Sequence, residues 1–181
     1  MRRMNFLLAA AYVSLAVSGC AVPIETRTVT LTSTFDESGM RAQMAKGTAK
    51  IAGNAFMRQQ GGGVVTCAGQ DVILIAANEY SAERLQHIYG IAPAVGQTIG
   101  RPVYDVMRKR VEFTDSPPAY TEMQRKTKCD SLGNFEFTSI KAGDYYIITG
   151  VVWQVQSMQG GTLVTRVRVS DENPDKVIMS L

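Results

Sequence analysis

The chain has 181 residues, 45% of them hydrophobic and 8% aromatic, and a formal net charge of +3. That length supports one ordinary core and not two. Arg2 and Arg3 fall in an expected leader without acids, so the remainder carries about +1, which excludes the strong basic field that nucleic acid recruits.

The first segment reads as a targeting signal. Residues 1–5 are short and basic, residues 6–17 are apolar, and Val17-Ser18-Gly19-Cys20 closes them with small side chains before a cysteine. The apolar run is too short to cross a hydrocarbon layer of about 30 Å comfortably. The closing tetrapeptide resembles the lipobox of bacterial lipoproteins. That resemblance implies cleavage after residue 19, acylation of Cys20 on sulfur and amine (palmitate is the expected acyl class), and membrane attachment through the N-terminal lipid. Ala21 stands where an Asp would favour inner-membrane retention, so the implied address is the outer membrane, facing the periplasm. The alternative is an ordinary signal peptide with Cys20 as a disulfide partner; accumulation of precursor under globomycin distinguishes the two.

Residues 20–46 are rich in Thr, Ser and charge and read as a tether. One extra strand is possible over residues 27–35, where Val29, Leu31 and Phe35 share a face, and residues 36–46 suit one helical turn or none. The folded domain is expected over 47–181. Residues 48–57 alternate as a strand, and its Gly53, like Gly47 before it, suggests close approach of another backbone. Gly61-Gly62-Gly63 lacks the Lys-Ser/Thr of a phosphate loop and reads as a flexible connection. Residues 64–67 and 71–77 follow, the second a continuous apolar run expected of a strand buried on both faces.

Residues 81–89 form the one expected helix, N-capped by Ser81, with Glu83 in its first turn and Gly90 after it. It holds the only histidine, His87, read as a surface or half-buried side chain rather than a catalyst. Residues 91–102 read as loop. Residues 103–113 and 119–129 read as a strand pair around Pro117-Pro118, placing Arg108, Lys109, Arg110, Arg125, Lys126 and Lys128 on facing segments. Such a patch could meet anionic lipid or glycan; the simpler reading is a solvated hairpin paired with Glu112 and Glu122.

The organising stretch runs from 129 to 155. It reads as a turn at 130–133, a strand with Phe135 and Phe137 on one face, a second turn at 142–144, and a long strand alternating through Tyr145, Ile147, Thr149, Val151, Trp153 and Val155, together a β-meander. A strand over 162–169, a turn at 171–174 and a last strand over 176–181 complete the chain. About seven short strands and one connecting helix describe an all-β sandwich. Gly47-Thr-Ala-Lys-Ile-Ala-Gly53, Cys129-Asp-Ser-Leu-Gly-Asn-Phe-Glu-Phe137 and Ile140-Lys-Ala-Gly-Asp-Tyr-Tyr146 resemble the carboxypeptidase regulatory-like domain. That resemblance implies a transthyretin-like (prealbumin-like) sandwich serving as an accessory module, without zinc ligands or a catalytic centre. The stretch 81–118 is longer than the family pattern.

With Cys20 acylated, Cys67 and Cys129 remain as an even pair in an oxidising compartment and are expected to form a disulfide; two buried thiols are the alternative. Two cysteines and one distant histidine do not make a closed metal shell, and no cofactor is expected. No hydrolase, metalloprotease or dinucleotide motif occurs, so the chain reads as non-enzymatic, with Glu136 and Asp144 as a strand and a turn residue. Three roles stay open: a structural or protein-interaction module for another envelope protein, a glycan-binding module, and an outer-membrane anchor of a secretion system. Among the aromatic residues, Tyr145 and Trp153 share the apolar alternation, leaving Tyr120 and Tyr146 as the ligand-facing candidates.

Overall fold

A computed structural model describes residues 23–170 and 176–181. Cys20 and the expected turn at 171–174 lie outside the described residues. The architecture is an all-β sandwich with helices on one face. Its strands are β1 (Glu25–Val29), β2 (Lys46–Arg58), β3 (Val64–Thr66), β4 (Asp71–Ala76), β5 (Thr98–Pro102), β6 (Lys109–Phe113), β7 (Arg125–Lys128), β8 (Asn134–Ile140), β9 (Gly143–Gln154), β10 (Met158–Val169) and β11 (Lys176–Met179). Its helices are α1 (Glu37–Met44), α2 (Glu79–Tyr89), α3 (Val103–Arg108) and α4 (Pro118–Glu122). The described residues therefore hold eleven strands and four helices, where about seven and one were expected.

One sheet has the order β5-β10-β9-β4-β7, and the sheet facing it is built on β2, flanked by β11, β3 and β8. The expected meander is absent, because β8 pairs with β2 while β9 pairs with β10 and β4. The turn after Ile140 instead carries the chain from one sheet to the other. Phe135 and Phe137 then meet Ile147, Val151 and Leu163 across the sandwich interior. Gly53 is required there: a Cβ would sit 2.3 Å from the Phe135 ring and 2.8 Å from the Val177 carbonyl of β11. Cys67 and Cys129 form the expected disulfide, with Cα atoms 5.8 Å apart, and close the interior at one edge.

The other face of the five-stranded sheet is buried too. Ile75, Tyr146 and Val164 project from it against Met40 of α1, Tyr80 and Leu85 of α2, and Tyr120 of α4. This confirms the continuous apolar run of β4, which has protein on both sides. Val164, on the same face, is fully buried.

The segment expected to be a tether is part of this layer. Met40 is 1% exposed, and Leu31 and Phe35 pack with it. Asp36 caps α1 by accepting from the Gly39 amide at 2.9 Å, so two helical turns form where one or none was expected. Strand β1 covers residues 25–29 and lies parallel to β6.

Three further readings are corrected. Asn78, and not Ser81, caps α2, accepting from the Ser81 amide at 2.8 Å; Gly90 ends the helix in the left-handed region at φ 83°. The stretch 91–102, expected as loop, carries β5 along the edge of β10. Residues 103–113 and 119–129 are not a strand pair: α3 precedes β6, which joins β1, and α4 precedes β7, which joins β4. Alternation in Val-Tyr-Asp-Val-Met-Arg suits either period, and an i,i+4 contact of 2.8 Å between Asp105 and Lys109 accompanies the helical one.

Candidate functional site

The two expected ligand-facing tyrosines do not face solvent. Tyr146 is 1% and Tyr120 7% exposed, and burial raises the pKa of both hydroxyls. Tyr120 packs edge-on to Tyr80 at 5.2 Å and to Phe35 at 6.0 Å. The Arg84 guanidinium lies 4.5 Å from the Tyr120 ring centre and 4.0 Å from that of Phe113, so this aromatic cluster already holds a cation of its own chain.

Most of the other charged groups singled out in the sequence also have internal partners. Asp144 accepts from Arg166 at 2.8 Å and Arg168 at 2.7 Å, and their charge lowers its pKa. Glu136 pairs with Lys50 at 2.5 Å. The six cations of the expected patch disperse. Lys109 pairs with Asp105, Lys128 with Asp71 at 2.6 Å, and Arg110 stands 3.8 Å from Glu112. Arg125 donates to the carbonyls of Thr138 and Ser139 at 2.7 and 2.8 Å, tying β7 to β8, while Arg108 lies over Tyr104.

His87 belongs to a strap. Its carbonyl accepts from Arg27 at 2.7 Å, and its Nε2 is 3.9 Å from Glu83. Glu83 in turn accepts from the amides of Thr32 and Ser33, both at 2.8 Å, and from their hydroxyls. Those donors pull its pKa down to about 2, with the Ser33 hydroxyl contributing most. No group of His, Cys, Asp and Glu that could hold a metal occurs among the described residues.

A further cleft, in which Gln159 donates to the Ser157 hydroxyl at 2.9 Å, lies where the two sheets part at one end of the sandwich. Strand β2 stops at Arg58 and turns back through Gln59, Gln60 and three glycines; Gln59 donates its amide to the Gly63 carbonyl at 2.8 Å, and Gly62 stands at φ 86°. Opposite, β9 and β10 run on as a hairpin in which Trp153 pairs with Gln159 and Gln154 with Met158. Between these hairpins opens a cleft of about 630 Å³, within the range of small-molecule sites.

Its walls have a consistent chemistry. Trp153, the single tryptophan, is half-buried, one side against the interior cluster and the rest at the cleft. A Cβ on Gly160, at φ 89°, would lie 2.8 Å from the Trp153 ring and 2.0 Å from the Val151 carbonyl, so only glycine leaves room for the indole beside β10. Gln59, Gln60, Gln156, Gln159 and Ser157 supply amide and hydroxyl groups, and Arg58 the one cation. Each amide donates and accepts. Among the described residues no carboxylate, imidazole or thiol lines the cleft, and its walls offer a π-face and hydrogen bonds.

The alternation from Tyr145 assigned Trp153 to the core. The signal against this lay in the next residues: Gln154, Gln156 and Ser157 flank a Val155 that proves 71% exposed, as expected where the facing sheet has ended.

No family model and no curated protein matches the chain. Among solved structures, the fold is similar to that of a Pseudomonas aeruginosa protein named "putative carbohydrate binding protein", with a TM-score of 0.65 and 23% sequence identity over 82% of this chain and 99% of that one.

Proposed function

We propose that this chain is a non-catalytic module of the bacterial envelope, held to the outer membrane through Cys20, that binds glycan at the Trp153 cleft. The observation that carries the reading is the half-buried indole set among four glutamine amides and a serine hydroxyl. A pyranose ring presents an apolar C–H face and an equatorial rim of hydroxyls. The indole suits the first, and amides, which donate and accept side by side, suit the second. The fold shared with a protein named for carbohydrate binding is compatible with this use of the cleft.

The protein carries its own probe, since Trp153 is its single tryptophan. Titration with a glycan panel should shift Trp153 emission saturably, and Trp153→Ala should abolish binding by calorimetry while leaving the circular dichroism spectrum unchanged. Emission unmoved by every glycan would sink the reading.

A protein-interaction role has one observation in its favour. Among the described residues strand β1 pairs only with β6, and four of its five residues are exposed, so its other edge is a candidate for strand addition. In-cell crosslinking that recovers one defined protein, equally with Trp153→Ala, would favour that role and bring a secretion-system or other envelope assembly into view.

A further inference from the structure

We infer that the cleft takes a linear chain of several sugars, which runs from Trp153 across β10 to Tyr104; this rests on the glycan reading above. A second cleft of about 380 Å³ opens beside the first, between α3 and the start of β10. The two share Ser157, Gln159 and Gly160 as walls, so they are halves of one groove.

Sheet register places Trp153 on one side of β10, and α3, which carries Tyr104, follows β5 on the other. Gln159 lies opposite Trp153 of β9, and Gly161 lies opposite Pro102 of β5, two residues before Tyr104. The backbones of β9 and β5 are thus two strand spacings apart, about 10 Å. That separation is wider than one stacked ring. Between the two platforms β10 runs as Gln159-Gly160-Gly161, so Gln159, which lines both halves, is the one side chain of this stretch at the crossing. A Cβ on Gly161 would meet the Arg101 carbonyl at 2.2 Å, and one on Gly160 would meet Val151 and Trp153. Two adjacent glycines weaken a strand, and at this place they let the backbones of β9 and β5 and the Trp153 ring approach β10 closely.

Tyr104 has the properties of a second platform. It is 63% exposed, Arg108 lies 5.3 Å from its ring centre, and its hydroxyl makes no hydrogen bond among the described residues. Side-chain amides line the Trp153 half, and Met107 and Met158 the Tyr104 half. A chain of pyranoses, alternating apolar faces with hydroxyl rims, matches that succession better than a single sugar does.

The test is calorimetry on the mature chain with chito-oligosaccharides and cello-oligosaccharides of one to six units. Affinity for the series that binds should rise about tenfold between two and four units and then level off. Tyr104→Ala should remove that gain and leave disaccharide binding intact, with the same melting temperature. Affinity independent of length, or a length gain that survives Tyr104→Ala, would overturn the inference while leaving glycan binding at Trp153 standing. Absence of binding by both series, with Trp153 emission unmoved, would overturn both. Anionic phospholipid vesicles form a control arm: binding that Tyr104→Ala abolishes would assign that half of the groove to lipid and also overturn the inference.

Discussion

The two faces of the five-stranded sheet are buried by different means. Inward, Val72, Leu74, Ile147, Val151 and Leu163 meet the aliphatic and phenyl side chains of the facing sheet, sealed by the Cys67–Cys129 disulfide. Outward, Tyr146, Ile75 and Val164 lie under helices held by polar clamps: Arg84 stacked among Phe113, Tyr120 and Tyr80, Glu83 gripping Thr32 and Ser33, and Asp36 capping α1. The inner layer depends on shape and the outer one on charge and hydrogen bonds. The first should respond to volume and the second to pH and to single polar groups.

The largest effect is expected from the disulfide. Its partners are 62 residues apart, and replacing both Cys67 and Cys129 with Ala should cost about 4 kcal/mol by loop entropy, read as a lower midpoint in denaturant melts. Leu74→Ala, at a position with no exposure, should cost about 2–5 kcal/mol by leaving a cavity in the sandwich. A midpoint unchanged by Leu74→Ala would mean the inner layer is not the main source of stability.

Arg84→Ala should cost less, about 1–2 kcal/mol. Its signature is regional: amide exchange should quicken in α2 and α4 while β8 and β9 keep their protection. The smallest and most selective effect is acid release of the strap over residues 25–33. The Glu83 pKa falls from an ordinary 4.5 to about 2 on folding, so its contribution is complete above about pH 4.5 and is lost as pH falls through about 2. Protection of β1 amides, taken relative to the intrinsic exchange rate at each pH, should fall between pH 5 and 2 in the native chain, and Glu83→Gln should show the low protection throughout. Equal acid sensitivity in Glu83→Gln would assign the release to another carboxylate.

The contrast also explains what could be read from the residues alone. The inner layer was legible because Ala49, Ile51, Ala55 and Met57, and Tyr145, Ile147 and Val151, repeat every second position against a single apolar neighbour. The outer layer was not. Tyr120 and Tyr146 were expected at the surface because alternation assumes one wet face, and the helices that cover that face come from residues 36–44, 79–89 and 118–122, far from the strands in sequence. Segment 23–46 was misread for the same reason: its apolar residues are sparse, and what docks it is a carboxylate about fifty residues away.

Trp153 shows the complementary limit. Its parity with Tyr145 predicts an inward side chain, and parity is obeyed. What the parity cannot report is where the opposite sheet stops, and β2 turns back at Arg58, leaving the indole at an opening.

By itself the sequence indicated the sandwich class and the inner faces of β2, β8 and β9, which rest on local period, and it left Cys67 and Cys129 as the expected pair once Cys20 is set aside, which the structure joins. Only the tertiary structure decided which strands are neighbours, that one sheet is covered twice, and that the clefts holding Trp153 and Tyr104 share Ser157, Gln159 and Gly160 of the β9–β10 hairpin as walls. Those are relations between segments whose distance in the chain has no bearing on their distance in space, and they depend on where elements end as much as on what they contain.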